Sequence, residues 1–193
     1  MVQAETGQAE TAAVKSGLRA RMRAERLAYA AVAPPIIPPR EFLDKVQPTS
    51  VVASYVAMAD EADPGLLTLA AHQAGCQIAL PHITTRAAPM RFLAWLPGAP
   101  LVDGPFGLRQ PPADAPALSP DIILTPLIAF DRQLNRLGQG AGYYDRAFAA
   151  LAAVLRIGVA WSIQRAEAVP VDPWDVPLHG VIDEYGWNGP EPR

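Results

Sequence analysis

The sequence predicts an α/β fold, a three-layer α/β/α sandwich built on a mostly parallel, mixed sheet. Apolar segments of strand length alternate along the chain with segments of helical periodicity, a pattern typical of parallel sheets with crossover helices. Half of the 193 residues are hydrophobic and 18% are charged, so the chain has a globular composition and can bury a core. We therefore predict a single domain over residues 13–193, preceded by a flexible tail over residues 1–12.

The first helix is predicted to begin near Ala13, because apolar residues recur at helical spacing from Val14 to Tyr29. The residues before it are mostly small and polar and are expected to fray. A proline-rich stretch at 34–39 ends this helix and forms an extended link.

The next elements follow from local pattern. "SVVASYVA" (50–57) is continuous and β-branched, which predicts a buried strand. "GLLTLAAHQAG" (65–75) is predicted to be a helix ended by its last glycine, and residues 76–83 the next strand. The alternating segment 90–96 predicts a half-buried strand.

The second half of the chain repeats the alternation. Residues 121–130 form a strongly apolar strand, interrupted by Pro126, and residues 143–155 carry apolar side chains on one helical face. Residues 156–161 predict another strand, and residues 179–183 a last short one.

Three glycines lie close together between the apolar strand and this helix. Gly138, Gly140 and Gly142 precede a helix N-terminus, where unpaired N–H groups and the helix dipole suit a phosphate. Glycine lets an anion approach the main chain and permits positive φ. Ligands of such sheets collect beyond the carboxyl ends of the strands. Neither GxGxxG nor a P-loop is present, so phosphate binding and a tight structural turn both remain open.

Composition narrows the function classes. The net charge of −3 argues against non-specific nucleic-acid binding, and no apolar run is long enough to span a membrane. Cys76 is the only cysteine, so no internal disulfide can form, and we expect a buried thiol and a cytoplasmic protein. The three histidines show no metal-ligand spacing and are interpreted as structural.

The glycine-rich segment has a recognisable sequence. "AFDRQLNRLGQGAGYYDR" (129–146) resembles the signature of the 5-formyltetrahydrofolate cyclo-ligase (5,10-methenyltetrahydrofolate synthetase) family. Segments beginning at Lys15, Tyr55 and Leu80, and "VPVDPWD" (169–175), follow in the order of that family, so the resemblance covers roughly residues 14–185. It implies a fold of the kind found in sugar-phosphate isomerases and CoA transferases.

The resemblance also implies an activity. Members of this family are ATP- and Mg²⁺-dependent ligases that convert 5-formyltetrahydrofolate to 5,10-methenyltetrahydrofolate and release ADP and phosphate, through an N5-iminium phosphate. The expected partners are small molecules, folate and ATP, with no nucleic acid and no membrane, and the protein is expected to be a monomer or a homodimer.

The family's functional residues map onto matching positions of this chain. The implied ATP-binding residues are Lys15, Arg19, Arg136, Leu137, Gly138, Gln139, Gly140, Ala141, Gly142, Tyr143 and Tyr144. The implied substrate-binding residues are Val56, Met58, Glu61, Gln139, Gly140, Ala141, Gly142 and Tyr143. The implied Mg²⁺ ligands are Asp145 and Asp175, with Asp172 close enough to be confused with the second.

Other interpretations stay open at this point. Lys15 and Arg19 could form a solvent-exposed basic face, and Arg136, which we expect to be exposed, could form a surface salt bridge. Leu134 stands where the family usually has glycine, His82 replaces a fixed cation, and 34–39 replaces a polar helical region. A non-catalytic nucleotide- or folate-binding module, and an isomerase or CoA-transferase-like enzyme of related fold, are the rival functions.

Overall fold

The structure, a computed structural model, describes residues 2–190, with their side chains from residue 10 onward. Its helices are α1 (Val2–Ala30), α2 (Arg40–Leu43), α3 (Gly65–Gln73) and α4 (Tyr143–Ala150). Its strands are β1 (Val51–Ala53), β2 (Gln77–His82), β3 (Arg91–Ala94), β4 (Val102–Asp103), β5 (Arg109–Gln110), β6 (Ile122–Pro126), β7 (Ala129–Phe130), β8 (Arg136–Leu137), β9 (Leu155–Val159), β10 (Gly180–Asp183) and β11 (Gly186–Asn188).

Seven strands form one mixed sheet in the order β11-β10-β9-β6-β1-β2-β3. The five central strands, β10 to β2 in that order, run parallel, and the two edge strands pair antiparallel with their neighbours. Two short hairpins, β4–β5 and β7–β8, lie outside this sheet. The predicted mostly parallel, mixed sheet is confirmed.

The core lies on both faces of the sheet because side chains alternate along each strand. Val52 packs on the face that holds Phe42 of α2 and Leu67 of α3. The next residue, Ala53, packs on the opposite face with Phe148 of α4. Helices therefore cover both faces, which confirms the predicted three layers.

Helix α1 begins at Val2, so the predicted start near Ala13 is wrong. The prediction relied on apolar periodicity, whereas residues 2–12 are rich in Ala, Glu and Gln, which favour helix without an apolar face. Val14, placed on the apolar face, is in fact exposed. The flexibility of residues 1–12 stays a prediction, and residues 1 and 191–193 lie outside the described part of the domain.

Several element ends also differ from the prediction. The strand predicted over 50–57 stops at Ala53, and the apolar segment 121–130 divides into β6 and β7 after Pro126. The last helix ends at Ala150 rather than Leu155, because Leu155 pairs with Ile122 as the first residue of β9. Strand β11 and both hairpins were missed, since pairs of two or three residues carry no periodicity. Among the described residues, no helix combines the length and apolar character needed to cross a membrane.

Candidate functional site

A cavity of about 560 Å³ opens at the carboxyl edge of the sheet. Its floor includes Tyr55, which follows β1, Ile83, which follows β2, and Pro126, the last residue of β6. A cavity at this edge is what the parallel strands predict.

All the residues that the family resemblance selected line this one cavity. They come from α1, from the loop after β1, from the glycine-rich loop with the start of α4, and from a turn near the C-terminus: Lys15, Arg19, Val56, Met58, Glu61, Arg136, Leu137, Gly138, Gln139, Gly140, Ala141, Gly142, Tyr143, Tyr144, Asp145 and Asp175. The structure therefore brings together segments that are separated by up to 160 residues in the chain.

Sequence reasoning missed part of the lining. The β4–β5 hairpin contributes Phe106, Leu108 and Arg109, and the C-terminal turn contributes Trp174 beside Asp172. Phe106 and Trp174 are both largely exposed. Their only sequence signal is an aromatic residue next to Pro or Gly, which is too common to indicate a site.

The three glycines of the loop differ in backbone conformation and in surroundings. Gly140 and Gly142 have φ of +100° and +68°, in the left-handed region that side chains other than glycine rarely adopt. Gly138 has no positive φ, but a Cβ there would lie 2.9 Å from Nη1 of Arg136. The loop passes directly into α4, whose first N–H groups have no partner within the helix.

Two arginines of α1 donate hydrogen bonds to this loop. Nε of Arg19 donates to the carbonyl of Gly138 at 2.9 Å, and Nη2 of Arg23 donates to Oε1 of Gln139 at 2.8 Å. Burial lowers the pKa of Arg19, and the neighbouring charge of Arg23 lowers it further. Positive charge is thus concentrated along the face of α1 that meets the loop.

Lys15 is buried between two carboxylates. Its Nζ donates to Oδ2 of Asp172 at 2.6 Å and also to Oδ2 of Asp175. Burial alone would lower the pKa of Lys15, but the hydrogen bonds and charges of the two aspartates outweigh it and raise that pKa. The interpretation of Lys15 as part of a solvent-exposed basic face is therefore wrong.

Arg136 is also buried, with only 4% of its side chain exposed, so the expected exposed guanidinium is wrong. Its Nη2 donates to Oδ1 of Asp145 at 2.5 Å, and its guanidinium carbon lies 5.8 Å and 5.3 Å from the ring centroids of Tyr144 and Phe148. Burial raises the pKa of Tyr144, and the charge of Glu61 adds to the rise. Tyr144 packs beside Phe148.

Glu61 connects the loop after β1 to the glycine loop. Its Oε2 accepts the backbone N–H of Met58 at 3.1 Å, and its Oε1 accepts Nε2 of Gln139 at 3.3 Å. Its side chain is nearly buried, and Nη1 of Arg26 lies 3.9 Å from Oε1. The carboxylate is therefore held at a defined place in the wall of the cavity.

The predicted metal ligands lie in the same cavity, and each is paired with a cation. Asp145 pairs with Arg136, and Asp175 pairs with Lys15. Within residues 2–190, no group of three or more His, Cys, Asp or Glu side chains is arranged to hold a metal ion. Buried His82 shares a hydrogen bond with the carbonyl of Pro111 at 3.1 Å, in keeping with a structural role.

The sequence model of the 5-formyltetrahydrofolate cyclo-ligase family matches residues 11–184. The chain belongs to this family. The matched range includes every residue that was assigned from the resemblance.

Curated relatives in the cyclo-ligase family are moderately similar to this chain. The 5-formyltetrahydrofolate cyclo-ligase of Escherichia coli K12 is 32% identical over 138 residues, 68% of this chain and 76% of the relative. That of Mycolicibacterium smegmatis is 35% identical over 142 residues, 68% of this chain and 72% of the relative. With the Haemophilus influenzae enzyme, identity is 37% over 97 residues, and the chain spans about half (52%) of that relative's length.

A solved cyclo-ligase structure has the same fold. The 5,10-methenyltetrahydrofolate synthetase of Aquifex aeolicus superposes with a TM-score of 0.70 at 27% identity, over 93% of this chain and 94% of that one. The synthetase of Mycoplasma pneumoniae, at 21% identity and a TM-score of 0.64, supports the fold alone.

One departure from the cyclo-ligase signature has a visible structural consequence. Leu134, where the family usually has glycine, has a φ of +63° and is buried. Its N–H donates to the carbonyl of Asp131 at 3.0 Å, and its own carbonyl accepts the N–H of Leu178 at 3.0 Å. The turn before Arg136 thus has the left-handed conformation that suits glycine, with a leucine in it.

Proposed function

We propose that this cyclo-ligase converts 5-formyltetrahydrofolate and ATP to 5,10-methenyltetrahydrofolate, ADP and phosphate in the cavity described above. The observation that carries the proposal is that one cavity joins a glycine loop and helix N-terminus, cations of α1, and the loop of Glu61. A phosphate donor and a large acceptor ring could therefore meet there.

ATP is proposed to bind with its phosphates against the glycine loop. The left-handed conformations of Gly140 and Gly142 leave the main chain open to an anion at the start of α4. Lys15, Arg19 and Arg136 would offset the charge of phosphoryl transfer. For Lys15 and Arg136, this requires that each exchanges part of its contact with an aspartate for a phosphate oxygen.

Mg²⁺ is proposed to be held by Asp145 and Asp175, with Asp172 as the alternative to the second. The fit is chemical: carboxylates beside a phosphate site supply the one or two protein oxygens that Mg²⁺ prefers. When bound, the ion would neutralise phosphate charge. Lys15 bridges Asp172 and Asp175 at a place that already favours a cation.

Folate is proposed to lie beside the loop after β1. Met58 and Gln139 hold the carboxylate of Glu61 in the wall of the cavity. There it would accept hydrogen bonds from the pterin ring. Val56 and Met58 present partly exposed apolar side chains to the cavity, and Tyr143 offers a ring for stacking.

The chemical steps take place on the substrates. The formyl oxygen attacks the γ-phosphate of ATP, the bond to ADP breaks, and an N5-iminium phosphate forms. N10 then attacks the activated carbon and loses its proton, and the C–O bond to the phosphate breaks to release phosphate and the methenyl product. The chain contributes position and charge, and no covalent enzyme intermediate is required.

We further propose a cytoplasmic protein that acts as a monomer or a homodimer and binds neither nucleic acid nor membranes. The net charge of −3 supports the absence of nucleic-acid binding, and the single buried cysteine supports the cytoplasmic location. The rival isomerase, CoA-transferase and binding-module functions are not favoured by the family assignment.

The test is direct: mix the protein with 5-formyltetrahydrofolate and MgATP, and follow the absorbance of the conjugated methenyl product while measuring ADP. Product and ADP should form one for one, with no product in the absence of ATP. Product made without ATP would overturn the ligase proposal, and binding of both substrates without turnover would indicate a non-catalytic module.

The second metal ligand can be assigned with two matched variants. Asp175→Asn should raise the Mg²⁺ concentration needed for ATP binding more than Asp172→Asn does, in calorimetric titrations at fixed ATP. The reverse order would make Asp172 the ligand.

A further inference from the structure

Residues 172–175 form a closed turn at the rim of the cavity. The N–H of Asp175 donates to the carbonyl of Asp172 at 3.0 Å, and the N–H of Asp172 donates to Oδ2 of Asp175 at 2.8 Å. Pro173 occupies the second position, where its fixed φ favours a turn. Trp174 is thus the third residue of a turn that two hydrogen bonds close.

The turn is also fixed to α1. Lys15 contacts the carboxylates at both ends of it, at 2.6 Å on Asp172 and in a second ion pair with Asp175. Because Lys15 is buried, this anchor is shielded from solvent. The backbone that carries Trp174 therefore has a defined position relative to the cavity.

Among the described residues, no hydrogen bond or ring contact accounts for the position of the Trp174 indole. It is 57% exposed, and within the described chain it forms no hydrogen bond and no ring contact. The other three tryptophans differ: Trp95 donates to the carbonyl of Ala99, Trp161 packs on the ring of Tyr29, and Trp187 lies under the ammonium of Lys45. A large aromatic ring exposed at the rim of a cavity is available to stack on a ligand.

The ion pairs of its two neighbours connect Trp174 to the nucleotide side of the cavity. Its two aspartate neighbours share Lys15, a residue of the proposed phosphate site. Glu61, on the proposed folate side, is held instead by Met58 of its own loop and by Arg26. We propose that Trp174 stacks on the purine ring of ATP, as a platform for the base beyond the phosphates. This inference rests on the proposed function of the cavity.

The test compares ATP with inorganic tripolyphosphate, which carries the phosphates without the base. Calorimetric titration with Mg²⁺ should show that Trp174→Ala weakens ATP binding by about 5- to 150-fold, the range for loss of one base–aromatic stack. Tripolyphosphate affinity should be unchanged, and Trp174→Phe should restore most of the ATP affinity. The matched control is Tyr185→Ala, which removes an exposed ring outside the cavity and should leave both affinities unchanged.

Each other outcome overturns the proposal. Equal losses for ATP and tripolyphosphate would mean that Trp174 only supports the turn, and an unchanged ATP affinity would mean that it does not contact the nucleotide. Loss of 5-formyltetrahydrofolate affinity alone would assign the ring to folate. If the wild-type protein bound neither ATP nor tripolyphosphate, the proposed ATP site itself would fail, which is a distinguishable result.

Discussion

The buried guanidinium of Arg26 lies 2.6 Å from the carboxylate of Asp60, between Nη2 and Oδ2. Its Nη1 donates to the carbonyl of Leu127 at 3.2 Å and lies 3.9 Å from Glu61. Arg26 is 2% exposed, so this contact is shielded from solvent. One side chain of α1 thereby joins the end of β6 to the loop that carries Glu61.

Replacing Arg26 by Met should destabilise the fold. The change leaves Asp60 and nearly buried Glu61 without their cation, so the free energy of unfolding should fall by about 3 kcal/mol in urea titrations. The control is Arg21→Met, because Arg21 is exposed and forms a loose 3.8 Å pair with Glu25. That change should cost less than about 1 kcal/mol. Similar costs for both variants would contradict the structural role of Arg26.

Gly140→Val should lose ATP binding beyond its loss of stability. Valine at a φ of +100° is strained, which should lower the free energy of unfolding by about 1–3 kcal/mol, and its branched side chain would occupy space where we place phosphate. Gly98→Val is a matched control, since Gly98 has a φ of +88°, open surroundings and no place in the cavity. Both variants should melt earlier, and only Gly140→Val should bind MgATP weakly in calorimetry. Full ATP affinity in folded Gly140→Val would show that the loop is a structural turn and not a phosphate site.

The sheet and many of the residues that line the cavity could be predicted from the sequence, for different reasons. A continuous apolar segment such as β6 indicates a strand that is buried on both faces of the sheet. Such strands are typical of parallel sheets, so parallel pairing could be predicted. The cavity residues could be selected because several segments, above all the one from Ala129 to Arg146, resemble the sequence of one family.

The other features of the site depend on contacts between residues that are far apart in the sequence, and no local sequence pattern indicates such contacts. Whether Lys15 and Arg136 are solvated or buried is decided by Asp175 and Asp145, and sequence spacing does not report such pairs. The position of Trp174 depends on the same anchor. The left-handed φ of Leu134 runs against residue preference and is set by hydrogen bonds to Asp131 and Leu178.

Glu184 should make stability depend on pH on the acid side. Burial alone would raise its pKa, but hydrogen bonds from Ser162 and from the hydroxyl of Tyr29 outweigh it and hold the pKa below its ordinary value. The unfolded chain then binds a proton more readily than the fold does. This contribution is therefore present above about pH 4.5 and is lost as pH falls below it.

Unfolding of Glu184→Gln at two pH values checks this sign. The variant should cost up to about 1 kcal/mol at pH 7, because the group is partly exposed, and less at pH 3, where the wild-type carboxyl is increasingly protonated. Glu167→Gln, at an exposed position, is the control and should cost little at either pH. A larger cost for Glu184→Gln at pH 3 than at pH 7 would contradict the lowered pKa.

Arg136→Ala should lower both stability and nucleotide affinity. The change leaves the Asp145 carboxylate without its cation and removes a charge packed against the rings of Tyr144 and Phe148, so the free energy of unfolding should fall by about 2–3 kcal/mol. The matched control is Arg165→Ala, since Arg165 also lies over an aromatic ring, 5.8 Å from the centroid of Phe130, but is exposed and outside the cavity lining. Its loss should cost less than about 1 kcal/mol and leave MgATP affinity nearly unchanged.

Urea unfolding and calorimetric titration of both variants separate the two roles of Arg136. Lost stability with unchanged MgATP affinity would make it purely structural, and the reverse would show that its ion pair with Asp145 adds nothing to the fold.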